Sequence, residues 1–232
     1  MFVDLHVHEC IYSGDSRLSL EEMAAKAKQR GLGVLCVTDH DTLGLAAEAE
    51  ERTRILGIPV LVGVEVLTIQ GDIIAYGSPY AFPPRSIDAQ AFIDYVHAHG
   101  GVCFGAHPFR KNQRGLETHL ENLVRLDGIE VLNGGTPMTE NYTALQYAEH
   151  LGLQQLASSD AHGIDSFGKY ATWLPENVDT VAGLIQVLRG GGCRPAVWKN
   201  GAYRVVDRPD WFGLLDSVPP EPVLESQEIC TL

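Results

Sequence analysis

Phe2-Val3-Asp4-Leu5-His6-Val7-His8 reads as a short apolar strand that ends in two histidines. On a strand, residues i and i+2 point to the same side, so His6 and His8 present their imidazoles together. The pattern recurs along the chain. Runs rich in Val, Ile and Leu at 33–37, 59–66, 72–76, 101–105, 128–132 and 155–158 lack clean alternation, as strands buried on both faces do. Between them lie amphipathic stretches at 20–30, 43–56, 87–99, 116–126, 140–151 and 178–188. Ser19 and Glu22 have capping-box spacing at the start of the first, and Gly31 stops it. Gly57, Gly100 and Gly152 end three others in the same way. Strands separated by helices predict a parallel sheet. At 232 residues a closed α/β barrel is favoured over an open doubly wound sheet. No G-x-G-x-x-G follows the first strand, so the dinucleotide-binding version has no support.

A 45% hydrophobic content is enough for a sizeable core and argues against a disordered chain. A net charge of −13 argues against long nucleic-acid duplexes and anionic membrane surfaces as partners. No apolar run approaches the roughly 20 residues of a membrane span. Met1-Phe2-Val3-Asp4 lacks the basic start of a signal peptide. Cys10, Cys36, Cys103, Cys193 and Cys230 are scattered, with no C-x-x-C pair, which predicts reduced thiols and a cytoplasmic protein. No second domain is visible. Residues 1–215 are expected to form one domain, and 216–232, with Val218-Pro219-Pro220-Glu221-Pro222, an irregular tail.

The chemistry-bearing residues cluster at strand ends. Asp39 and His40 close the second strand and Glu65 the third; His107 follows the run 101–105, and Asp160 and His162 follow 155–158. In a parallel α/β barrel, all strand C-termini open on one face, where active sites form. Five of the nine histidines therefore converge with carboxylates; His97, His99, His119 and His150 fall in helical stretches and read as surface or helix-end residues. Imidazole and carboxylate without thiolate suit Zn, Mn or Fe. Glu65 is the best candidate to bridge two cations, because it ends the otherwise apolar run 58–64. An unpaired carboxylate there would be costly to bury.

Asp4-Leu5-His6-Val7-His8, Val37-Thr38-Asp39-His40-Asp41, Gly63-Val64-Glu65, Ala106-His107-Pro108 and Ser159-Asp160-Ala161-His162 together resemble the PHP (polymerase and histidinol phosphatase) family, in order and spacing, over about residues 2 to 170. The composite Ala106-His107-Pro108-Phe109-Arg110 looks most like the small stand-alone PHP hydrolases. The resemblance implies a distorted (β/α)7 barrel, TIM-like, carrying two or three divalent metal ions at its strand ends. It implies a metal-dependent phosphoesterase acting on a small phosphorylated substrate such as a phosphomonoester, a nucleotide or a short oligonucleotide end. Carried over, His6, His8, Glu65 and Asp160 resemble the ligands of a first metal. Glu65 and His107 resemble those of a second, and Asp15, His40 and His162 those of a third. Two departures stand out. The usual Thr after H-x-H is Glu9, with the following turn reading Ser13-Gly14-Asp15. Where many relatives place a histidine after the bridging glutamate, this chain has Gly71-Asp72-Ile73-Ile74, so either Asp72 substitutes as an oxygen ligand or that coordination is missing.

On this reading Glu65, Asp160 and Arg110 are the expected catalytic residues, with Arg110 a phosphate clamp. Asp39 is a candidate acceptor orienting a ligand histidine, and Asn133 and Lys169 are candidates to reach the same face. The loops 78–86 and 109–116 are expected to wall the pocket; their aromatics Tyr80, Phe82 and Phe109 either stack on substrate or pack locally. Two other functions stay open: an amidohydrolase-type enzyme, although no strand end offers its usual lysine, and a non-catalytic metal-binding domain.

Overall fold

A computed structural model describes residues 1–213 of the chain. The expected tail at 216–232 and the domain boundary at 215 lie outside the described residues.

In chain order the elements are β1 (Phe2–Val3), α1 (Leu20–Arg30), β2 (Leu35–Val37), α2 (Ala49–Leu56), β3 (Val60–Val62), β4 (Val64–Leu67), β5 (Asp72–Tyr76), α3 (Ala89–Ala98), β6 (Val102–Gly105), β7 (Gly128–Asn133), α4 (Met138–Leu151), β8 (Gln155–Ser158), β9 (Tyr170–Trp173), α5 (Val181–Gly190), β10 (Arg194–Lys199) and β11 (Ala202–Val205). They form a mixed α/β, single-domain fold. Its sheets are β1-β9-β10-β11, β2-β3 and β4-β5-β6-β7-β8.

Local chemistry sets the helix ends. The Ser19 side chain accepts from Glu22 N while the Glu22 carboxylate accepts from Ser19 N, closing the capping box. Gly31 ends α1 at φ 72°, a backbone angle glycine adopts without strain. Leu20, Met23, Ala24 and Ala27 form the buried stripe of α1 at helical spacing.

Several expectations needed correction. The sheet is not all parallel: β5 runs antiparallel to both β4 and β6. Only Thr68-Ile69-Gln70-Gly71 separates β4 from β5, far fewer residues than the dozen or so a parallel crossover requires. The run 59–66 breaks at Gly63, where an added Cβ would lie 2.7 Å from Ala75 O. The stretch 116–126 makes only a 3-10 turn at Glu117–Asn122, bounded by left-handed backbone at Glu117 (φ 48°) and Arg125 (φ 65°). The stretch 43–56 splits into a 3-10 turn at Gly44–Ala47 and α2. The strands β9, β10 and β11 were not foreseen.

Hydrogen bonds link the pieces that carry the strand-end residues. Asp160 N donates to His6 O, His8 N to Ala161 O, and Thr38 N to Val7 O, so residues 5–8 lie between the ends of β2 and β8. His40 and Glu65 form a parallel bridge. The Tyr76 hydroxyl, fully buried, donates to Leu5 O at 2.8 Å and pins the chain just before His6.

Candidate metal centre

All eight expected ligand residues come together. His6 Nε2 and His8 Nε2 face each other at 2.9 Å, both side chains buried. Around this pair, Asp160 Oδ1 lies 3.3 Å from His6 Nε2 and 3.2 Å from His8 Nε2. Glu65 Oε1 lies 3.5 Å from His6 Nε2 and 3.0 Å from His107 Nε2, while its Oε2 lies 2.6 Å from His40 Nδ1. Asp15 Oδ2 spans His40 Nε2 at 3.2 Å and His162 Nε2 at 3.4 Å at the outer, solvent-exposed end. The His8 ring stacks on His40 and His162, with centroids 4.1 and 4.2 Å away.

Within this cluster, four groups of three have ligand atoms close enough to share an ion: His6, His8 and Glu65; His6, His107 and Asp160; His8, His40 and His162; and Glu65, Asp72 and His107. Glu65 belongs to two of them, as a bridging carboxylate does. The donor set fits divalent cations. Two imidazole nitrogens aimed at each other inside a ring of carboxylates leave lone pairs converging on a small space, which a cation resolves.

The electrostatics agree. Burial opposes charge on Glu65 and Asp160, yet the surrounding histidines hold both carboxyls well below the ordinary carboxylate range. Burial likewise opposes charge on His6, but Asp160, Glu130 and Glu65 raise its pKa well above the usual value. Burial dominates at His8 and pushes it down to about 4. Perturbed groups packed together are a signature of functional sites. His107 at φ 30° and Asp160 at φ 50° are left-handed non-glycine residues, and such backbone persists where surrounding contacts impose it.

Residues not singled out from sequence hold this cluster. Glu130, fully buried on β7, accepts from His6 Nδ1 at 3.1 Å, from His107 N at 2.8 Å and from Asn133 Nδ2 at 2.8 Å. Its position two residues from the end of an apolar run, inside Ile129-Glu130-Val131, was the available signal. Asp4 accepts from the Ser159 amide and hydroxyl and from Gly168 N, fixing the turn before Asp160. Arg114 pairs with Asp72, Nε to Oδ2 at 2.6 Å and Nη2 to Oδ1 at 3.1 Å.

The remaining candidates divide. Asp39 touches no ligand histidine; it accepts from the Ser13 hydroxyl, which lies 3.4 Å from His8 Nδ1, so its influence passes through Ser13. Arg110 turns Nη2 onto Asp160 Oδ2 and Asn133 Oδ1, both 2.5 Å, and Nε onto Thr136 Oγ1. Asn133 thus meets Arg110 and Glu130 from the end of β7. Lys169 is exposed and lies over the Tyr170 ring. Phe82 packs edge-on against Phe92 and Tyr95, and Phe109 against Tyr147, so both pack locally. His99, His119 and His150 are exposed, and half-buried His97 closes α3 against Arg125 O, as expected of helix-end residues. No helix among the described residues is long and apolar enough to cross a membrane.

Residues 4–174 match the PHP domain model, and the chain belongs to that family. It is 29% identical over 143 residues to an uncharacterized protein of Methanocaldococcus jannaschii, covering 57% of this chain and 82% of that one. It is 41% identical over 64 residues to the 3',5'-nucleoside bisphosphate phosphatase of Chromobacterium violaceum, a match confined to 28% of this chain and 22% of that enzyme. Among solved structures, PsfC of Pseudomonas syringae superposes with a TM-score of 0.68 at 19% identity, covering 92% of this chain and 95% of that one. Endonuclease Q, in complex with a 27-mer duplex bearing an abasic lesion, superposes with a TM-score of 0.60 at 17% identity, covering 83% of this chain and 58% of that one. The fold therefore accommodates duplex DNA in at least one neighbour, and the net charge alone does not exclude nucleic acid here.

Proposed function

We propose that this protein is a metal-dependent phosphoesterase that hydrolyses a small phosphate ester with an activated water, in a distorted (β/α)7 barrel. The observation that carries the reading is the facing pair His6 Nε2 and His8 Nε2 at 2.9 Å, enclosed by Glu65 and Asp160. His6, His8, Glu65 and Asp160 would hold one cation, Glu65 and His107 a second, and Asp15, His40 and His162 a third, with Zn, Mn or Fe suited to the donors. Bound there, such ions lower the pKa of a coordinated water and neutralise phosphate oxygens.

The rest falls to the chain itself. Glu130 fixes the His6 ring by accepting a hydrogen bond from Nδ1, which turns Nε2 toward the cluster. Ser13, held by Asp39, stands at His8 Nδ1 in the same manner. Arg110 anchors the Asp160 carboxylate through a charge-assisted bond and in turn leans on Asn133. No side-chain nucleophile is needed, because phosphoryl transfer depends mainly on positioning and electrostatics.

The test is metal content of the purified protein followed by turnover of a panel of phosphomonoesters, phosphodiesters, nucleotides, short oligonucleotides and duplex DNA, with lactones and amides as controls. Bound transition metal with monoester turnover is expected. A metal-free protein, or one that hydrolyses only amides or lactones, would overturn the reading.

A further inference from the structure

A second set of metal-ligating side chains lies away from the strand ends. His97 sits in the last turn of α3, Cys103 on β6, and Asp127 just before β7. His97 Nε2, Cys103 Sγ and an Asp127 carboxylate oxygen all lie within 4.8 Å of one another. None of the three residues belongs to the groups around His6 and His8. Cys103 stands near the start of β6, four residues before His107, and shares its core layer with Ala89, Phe92, Ile93 and Val96 of α3. The set therefore sits at the end of β6 opposite the strand-end centre.

Backbone contacts hold these groups in register. Cys103 N donates to Asp127 Oδ2 at 2.8 Å, and Asp127 N donates to Cys103 O at 2.9 Å. The same Oδ2 lies 3.1 Å from His97 Nε2. Arg125 O lies 2.8 Å from that ring nitrogen, brought there by left-handed backbone at Arg125 (φ 65°). Hydrogen bonding accounts for His97 against Arg125 O and Asp127, but it gives the fully buried Cys103 sulfur no part. That thiol is no nucleophile, because burial and the neighbouring Asp127 charge raise it well above its ordinary value. Imidazole nitrogen, cysteine sulfur and carboxylate oxygen converging from three elements are the donor types of a tetrahedral zinc site, and sulfur selects zinc over harder cations. The His97 and Asp127 side chains keep 11% and 16% of their surface open, which leaves an ion a way in from solvent.

We propose that His97, Cys103 and Asp127, with Arg125 O as the fourth donor, bind a zinc ion that clamps the end of α3 to the starts of β6 and β7. Coordination exchanges the Cys103 thiol proton for the ion and releases that proton to solvent, while the His97 ring keeps its proton on Nδ1. Thiolate and carboxylate together neutralise the ion, and four protein donors close the site, so its role is structural. The donors come together only in the folded chain, so the ion stabilises that state by mass action. Nothing in this proposal depends on the reaction at the strand ends.

The test uses cobalt(II) as the probe, because a thiolate ligand gives cobalt an intense near-ultraviolet charge-transfer band that imidazole and carboxylate ligands do not. Titration of the metal-free, reduced protein with cobalt should develop that band. The band should persist in Glu65→Ala, which disturbs the strand-end centre, and in Cys10→Ser, which removes the exposed thiol. It should be lost in Cys103→Ser and in His97→Ala. Absence of the band from the unaltered protein at saturating cobalt overturns the proposal. So does a band that survives in Cys103→Ser, or one that vanishes in Glu65→Ala or Cys10→Ser. The clamp is read separately from thermal unfolding: added zinc should raise Tm more in the unaltered protein than in Cys103→Ser, and equal rises overturn it. Should Cys103→Ser not fold, His97→Ala, at a half-buried position, carries both comparisons.

Discussion

Glu130 Oε1 stands 3.1 Å from His6 Nδ1, and neither side chain is reached by solvent. This contact fixes which ring nitrogen of His6 faces the cluster, because the proton on Nδ1 is drawn to the carboxylate. The same carboxylate receives His107 N through its other oxygen, so one residue of β7 positions two histidines from different strands. Replacing Glu130 by Gln keeps the shape and removes the charge. Metal affinity, measured by chelator competition, is expected to weaken about 10- to 100-fold. Unchanged affinity would show that the contact is only a packing feature.

Among the described residues, Glu65 is the only carboxylate whose two oxygens face His6, His107 and His40. Glu65→Ala should therefore reduce bound metal by at least one equivalent, read by atomic emission on the dialysed protein, and abolish phosphate-ester turnover. A variant that kept both would refute the bridging role.

Asp4 links acidity to stability. Burial pushes its carboxyl up to about 7 against an ordinary 3.8, despite the hydrogen bonds from Ser159 and Gly168. Between these values the folded chain holds a proton that the unfolded chain has released. This group's contribution is thus fully present below about 4 and is lost as pH rises through about 7. Inside the window the slope approaches about 1.4 kcal/mol per pH unit. Urea denaturation of the metal-free protein at pH 5 and 7.5 should show a steeper decline for the unaltered chain than for Asp4→Asn. Parallel declines would place the titration elsewhere.

Cysteine accessibility gives a test independent of the metal centre. Cys10 is exposed, whereas Cys36, Cys103 and Cys193 are buried and unpaired by disulfides. Burial pushes the Cys36 thiol up to about 12 and Cys193 to about 11, so neither supplies thiolate near neutrality. Brief native alkylation followed by peptide mapping should label Cys10 and spare these three. Rapid labelling of Cys36 would mean that the β2–β3 layer opens.

Some features were readable one residue at a time. The capping box at Ser19 and the stops at Gly31, Gly57 and Gly152 are local chemistry, and α1 keeps its expected bounds. The histidines and carboxylates at the strand ends were legible for a similar reason: an ionisable residue closing an apolar run stands out against its neighbours. The reversal at β5 was also present in the chain as a four-residue gap, although the apolar pattern masks strand direction. Glu130 and Arg114 were harder to find. A lone glutamate within a strand or an arginine within a loop acquires meaning only from its partners, and those lie 124 residues away for Glu130 with His6 and 42 away for Arg114 with Asp72.

The amino-acid order alone determined the bounds of α1, the helix caps and the identity of the groups at the strand ends, because these depend on neighbours within a few positions. Only the folded chain decided that His6 and His8 meet nitrogen to nitrogen, that Arg110 turns to Asp160, and that Arg114 is held against Asp72. Those distances arise from packing between segments remote in sequence, where burial makes each charge require a partner and the backbone permits few places to supply one.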